Sequence, residues 1–308
     1  MAHGGGNRAI IAALSANLGI AVTKFVAFLL TSSSSMLAES VHSLADSGNQ
    51  LLLLLGGRRA RRAADEEHPF GYGRERYMYA FIVAIVLFSL GGLFALYEAW
   101  HKFAEPHPIE SWQWVPIVVL LAAIGMEGFS FRTAIREANH TRGKQGWVSY
   151  IRTAKAPELP VVLLEDFGAL IGLVLALFGV SMTLVTDDGR WDAVGSAAIG
   201  VLLVVIAVVL AVETKSLLLG ESASRRDVEA IRGALVGAGV PSVIHLRTLH
   251  LGPEELLVAA KIEVDATDSA ADVATAIDAA EQRVRSAVPI ARVIYLEPDL
   301  RHATAPAP

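Results

Sequence analysis

Six apolar runs, broken by short polar connections, set the pattern of the chain as far as Val212: Arg8 to Leu30, Met36 to Gly57, Met78 to Lys102, Trp112 to Ala134, Pro160 to Thr183 and Trp191 to Val212. Each is close to the ~20 residues that a helix needs to cross a bilayer core. The second and fifth runs carry ionisable residues among their apolar ones. From Glu213 onward the pattern shortens and becomes mixed. It predicts a helix over Asp227–Val236, extended runs over Val243–Leu251 and Leu256–Val264 about a turn at Gly252-Pro253, a helix over Ala270–Ser286 and a last strand over Arg292–Glu297. The expected architecture is an all-α membrane bundle of six helices over residues 1–215 and a small α+β domain over 216–300. Residues 301–308 are expected to be a disordered tail.

The connections orient the bundle. Arg58, Arg59, Arg61, Arg62, Arg74 and Arg76 follow the second run, and Arg136, Arg142, Lys144, Arg152 and Lys155 follow the fourth, whereas the alternate connections are poor in Lys and Arg. Basic short loops stay on the cytoplasmic side, so both termini are expected there, with the plasma membrane as the location. Trp112, Trp114 and Trp191 suit an interfacial belt. The Gly-rich start, Met1 to Asn7, leads into an apolar run too long for a signal peptide, which is read as a retained span.

Composition sharpens this picture. With 53% hydrophobic and 19% charged residues and a mean hydropathy of +0.47, the chain is too apolar for an ordinary soluble protein of its length. A net charge of −5 and no basic stretch interleaved with aromatics exclude a general nucleic-acid binder. The chain has no cysteine, so any transition-metal site must be built from His, Asp and Glu.

Candidate chemistry concentrates in the second run. His42 and Asp46 are four residues apart, which stacks an imidazole and a carboxylate on one helix face within reach of one ion. Ionisable groups inside a span are costly, so this pair points to a cation site. Glu39 is read either as a ligand or as a residue of the site's mouth. In the fifth run, Asp166 supplies a further oxygen ligand, and Glu165 either joins it or faces the headgroups. Asn17, Lys24, Glu127 and Asp192 are assigned structural roles, Lys24 by snorkelling outward or pairing with an acid such as Glu39, and Asp192 by capping its helix. Between the second and third runs, Asp65 and His68 are spaced to touch one ion in a Pro- and Gly-enforced turn, which is read either as a metal site or as a solvated acidic turn. In the tail, His245 and His250 are assigned to surface or interface positions.

The stretch from Ser35 through Met36, Leu37, Ala38, Glu39, Ser40, Val41, His42, Ser43, Leu44, Ala45 and Asp46 to Ser47 resembles the second-span signature of the cation diffusion facilitator family. Asp65 through Arg74 resembles that family's interhelical loop. The resemblance runs over nearly the whole chain, and it implies a ferredoxin-like, metallochaperone-like tail, a homodimer joined through that tail, and alternating access that exchanges Zn2+ or a related divalent cation for protons. It implies His42, Asp46 and Asp166 as ligands. Val162 stands where the family's zinc pattern has a His, with Glu165 as a compensating ligand, and that harder, oxygen-rich set also suits manganese, iron or cobalt. Tail positions that bind metal in zinc-regulated relatives correspond here to Ile244, Lys261, Tyr295 and Glu297, so a zinc sensor is not expected there. The expected function is a transporter and not an enzyme; an intramembrane metalloenzyme would need a fuller set than Glu39-x-x-His42.

Overall fold

The computed structural model describes residues 5–31, 34–106 and 113–300, with side chains there except those at 5–9, 27, 28, 30, 31, 34–39, 41 and 42. The expected disordered tail at 301–308 and Trp112 lie outside the described residues. The chain divides into two compact units, one of residues 1–59 and 75–215, the other of residues 60–74 and 216–308.

The first unit is helical. It consists of α1 (Gly5–Thr31), α2 (Ser34–Arg59), a rod formed by α3 (Glu75–Val86), a π-helical segment (Leu87–Leu93) and α4 (Phe94–Ala104), then α5 (Trp114–Arg142), the short α6 (Trp147–Thr153), α7 (Glu158–Thr186) and α8 (Arg190–Leu219). Four of these rods, Glu75–Ala104, α5, α7 and α8, are long and apolar enough to cross a membrane. Long apolar runs fold as helices because a bilayer offers no partner for an open backbone N–H or C=O. The rod Glu75–Ala104 lies against α8 at two glycines. A Cβ on Gly92 would come 2.6 Å from Val204 Cγ2, and one on Gly200 would come 2.7 Å from Leu96 Cγ. Hydrogen at these positions lets the two helices approach by van der Waals packing, the main attraction left between helices in lipid. Lys102 Nζ pairs with Asp192 Oδ2 at 2.8 Å along the same rods; Asp192 lies inside the first turn of α8, whose Arg190 N–H donates to Asp188 Oδ1 at 3.0 Å.

The second unit holds α9 (Arg225–Leu235), β1 (Val243–Gly252), β2 (Glu255–Glu263), α10 (Ala270–Ala287) and β3 (Ala291–Asp299). The sheet order is β1-β2-β3, with β1 antiparallel to β2 and β2 parallel to β3 through the α10 crossover. Central β2 alternates buried and half-buried positions, and its Leu256, Val258, Ala260 and Ile262 pack with Ile231, Leu235, Ala280 and Val284 of the helices. Ser224 caps α9, and Ser269 with Asp272 forms a capping box that starts α10.

Residues 60–74 belong with this second unit. Gly73 lies directly on the β1–β2 hairpin, where a Cβ would come 2.7 Å from the Leu251 carbonyl oxygen. The expectation of a surface position for His250 is corrected: it is 2% exposed. The register shift between His250 and Gly252 turns it inward, its N–H donates to the Glu221 carbonyl at 2.9 Å, and Nδ1 lies 3.2 Å from the Gly252 carbonyl oxygen. His245 is exposed. Lys261 is held by Asp299 at 2.8 Å and Glu297 at 3.0 Å, and hydrogen bonds to those two carboxylates raise its pKa above the ordinary lysine value.

Candidate metal centre

Helix α2 turns one polar face inward. Ser43, Asp46, Asn49 and Gln50 follow each other at helical spacing, and all are buried, Gln50 at 0% and Asn49 at 1% exposure. The amides of this face fix α7. Asn49 Nδ2 donates to Glu165 Oε1 at 2.8 Å and Gln50 Nε2 to Glu165 Oε2 at 2.9 Å. Asn17 of α1 donates in turn to Gln50 Oε1 at 3.3 Å. Glu165 is thus buried, 4% exposed, with both carboxylate oxygens holding amides. His42, one turn before Asp46, lies on the α2 backbone, but its side chain and that of Glu39 lie outside the described residues. Val162, where the resemblance places a histidine, is fully buried in the hydrophobic core.

Asp166 is the next residue on α7 and faces α5. It is 0% exposed; its Oδ2 accepts from Ser130 Oγ at 2.8 Å, while Oδ1 finds no hydrogen-bond donor. Glu127, one turn before Ser130 on α5 and 2% exposed, brings its carboxyl within hydrogen-bonding reach of Asp166. Two carboxyl groups facing each other away from water need a proton or a cation between them, because neither ionised group can donate. A cleft with roughly 500 Å³ of atom-free space is lined by Asn17, Lys24, Ser43, Asp46 and Glu127 together with Gly168 and apolar residues of α7 and α8. Among the described residues no three His, Asp or Glu side chains close on a single point as a finished metal site.

The composition of this face was only partly legible. Asp46 and Asp166 are singled out by sequence, whereas Glu127, assigned a structural role, stands in the cleft beside Asp46. Its three-residue spacing to Ser130 was the available signal. Of the two roles expected of Lys24, outward snorkelling is corrected, since at 3% exposure its ammonium donates to Ser43 Oγ at 3.1 Å on the cleft wall; pairing with Glu39 falls on a side chain outside the described residues.

In the interhelical turn, Asp65 Oδ1 accepts from the His68 backbone N–H at 2.7 Å, and Asp65 Oδ2 accepts from the Tyr72 hydroxyl at 2.6 Å. The His68 ring lies 4.4 Å from the Tyr72 ring, and His68 Nδ1 is 3.6 Å from Asp65 Oδ1. These donors, Tyr72 first, hold the Asp65 carboxyl below its ordinary value of 3.8. A depressed carboxylate pKa contributes order that is fully present above pH ~4 and is lost as pH falls through the lowered value. Tyr72→Phe is expected to move the Asp65 titration midpoint, followed by carboxyl 13C NMR, upward towards 3.8; an unchanged midpoint would show that the hydroxyl does not hold it.

The family described as "Cation efflux transmembrane domain" matches residues 10–219. The chain belongs to the cation efflux family. It is an integral membrane protein of this family of transporters, also called cation diffusion facilitators. The human "Proton-coupled zinc antiporter SLC30A9, mitochondrial" is 29% identical over 245 residues, which are 79% of this chain but 43% of that protein. "Metal tolerance protein C4" of Arabidopsis thaliana is 29% identical over 83% of this chain and 56% of its own length. The chain therefore spans about half the length of these relatives. "Cation-efflux pump FieF" of Pectobacterium atrosepticum is 26% identical over 93% of this chain and 90% of its own length.

Proposed function

We propose that this cation efflux family member is a proton-coupled divalent cation antiporter, with Zn2+ as its substrate, working by alternating access. The observation that carries the proposal is Asp166: a carboxylate 0% exposed, with one oxygen lacking any donor and beside Glu127, which with Asp46 lines the neighbouring cleft. The proposed ligand set is Asp46, Glu127 and Asp166, completed by the imidazole of His42. Glu165, whose two oxygens each accept an amide of α2, is placed outside this set. Ligation needs ionised carboxylates and a neutral imidazole, so metal and protons compete for the same groups, and a proton gradient can drive metal movement. Rocking of the helices would open the cleft to each side in turn.

In this reading all six long rods of the first unit span the bilayer, with the Arg-rich connections and both termini on the cytoplasmic side of the plasma membrane. The second unit, a small sheet whose β1 and β3 are edge strands, serves homodimerisation. The Asp65–His68 turn is proposed as an accessory metal contact. The zinc antiporters among its relatives support zinc; the oxygen-rich set supports manganese, iron or cobalt as the second reading. The test is purified full chain in proteoliposomes: Zn2+ flux is expected to accelerate under an opposed proton gradient and to compete with Mn2+, Fe2+ and Co2+ in that order of interest. Metal flux indifferent to the gradient would remove the proton coupling, and no flux of any of these ions would remove the transporter reading.

A further inference from the structure

Lys24 is a buried charged group of the first unit that the transport reading leaves unused. It is 3% exposed, and among the described residues no other Lys or Arg is buried. A lysine within a span ordinarily runs its stem towards the interface, where the ammonium stays hydrated. Here the stem runs the other way. Nζ donates to Ser43 Oγ at 3.1 Å, Ser43 lies three residues before Asp46 on the same face of α2, and Lys24, Asp46 and Glu127 line one cleft. The charge of Lys24 reaches Glu127 across it.

Carboxylates withdrawn from water need a positive charge nearby, and the same positions cannot be held by an ammonium and a divalent ion together. We infer that Lys24 is a tethered counter-ion of the cation site, balancing the cleft carboxylates when no metal is bound and displaced from them by the entering ion. The inference rests on the reading of the cleft as the cation site. Its consequence is an affinity set deliberately below what the carboxylates alone would give. A carrier benefits, because an ion that binds too tightly does not leave. It also gives a bias by charge: a divalent ion replaces the ammonium with a net gain of one charge, whereas a monovalent ion only exchanges like for like.

The experiment is calorimetric titration of Zn2+ into the detergent-solubilised full chain at one fixed pH, for wild type, Lys24→Gln, Lys24→Arg and Asp166→Asn. Lys24→Gln is expected to bind Zn2+ about tenfold more tightly than wild type, and Lys24→Arg, which keeps the charge, within about threefold of it. In a Glu127→Gln background the gain from Lys24→Gln is expected to shrink, since the ammonium then has one carboxylate fewer to balance. A folded Lys24→Gln that binds Zn2+ no better than wild type overturns the inference. Should Lys24→Gln be monodisperse only when purified with Zn2+, the ion is replacing the ammonium as inferred; should Zn2+ fail to rescue it while Lys24→Arg folds, the lysine is a structural tie and the inference falls. Asp166→Asn separates the two claims. Wild-type binding by Asp166→Asn sinks the reading of the cleft itself, whereas lost binding there beside an unchanged Lys24→Gln sinks only the role of Lys24.

Discussion

Asp166→Asn is expected to lower Zn2+ flux in proteoliposomes by about a hundredfold, while the protein stays folded. Asparagine has the same shape as aspartate, and its amide oxygen can keep the Ser130 hydroxyl that now reaches Oδ2 at 2.8 Å. What the substitution removes is the charge. With the Ser130 hydroxyl kept on the amide oxygen, Oδ1, which has no donor in the described structure, would become an NH2 group, a donor that can satisfy a neighbouring carboxyl such as Glu127 without a cation. The site would then hold neither its negative charge nor its open oxygen. Outer residues around metal sites commonly cost ten- to a hundredfold when changed, and a direct ligand should cost no less. Initial rates of Zn2+ uptake at saturating and subsaturating metal measure it; a variant transporting at the wild-type rate would mean that the ion takes another path.

Glu165→Gln should behave in the opposite way, losing stability first and metal affinity second. Glu165 is the acceptor end of a buried chain in which Asn17 donates to Gln50, Gln50 donates to Oε2 of Glu165 and Asn49 donates to Oε1. Three helices, α1, α2 and α7, meet through it. A glutamine offers one oxygen and one NH2 group, so one of the two amide donors would face another donor inside the protein. Leaving a buried donor unsatisfied costs roughly 1–3 kcal/mol, more where the lost acceptor was charged. The expected result is a melting temperature in detergent lower by roughly 5 °C or more, with Zn2+ affinity within about threefold of wild type. The reverse pattern, unchanged melting with lost Zn2+ binding, would return Glu165 to the ligand set.

These two neighbours show where sequence reasoning stops. Adjacent residues on a helix point about 100° apart, so Glu165 and Asp166 could not both face the same partner, but nothing local says which helix each would meet. The fifth apolar run by itself made both acids candidates. The position of α2 beside one of them and of α5 beside the other divided their surroundings.

The same division runs through the chain. The long apolar rods, the mixed tail with its hairpin and crossover helix, and the candidacy of Asp46 and Asp166 as cation ligands are written in local properties: apolar run length, period-two alternation, turn residues, and the cost of an acid placed in a span. Family membership follows from a continuous stretch of residues, 10–219. By contrast, the inward turn of Lys24, the approach of Glu127 to Asp166, the capture of Glu165 by two amides and the burial of His250 join residues far apart in sequence or depend on which face a neighbour covers. Sequence fixes the direction of a side chain only relative to its own helix or strand. Whether that direction ends in lipid, water or another carboxylate is decided by packing, because the energy of a charged group depends on what surrounds it and not on its place in the chain.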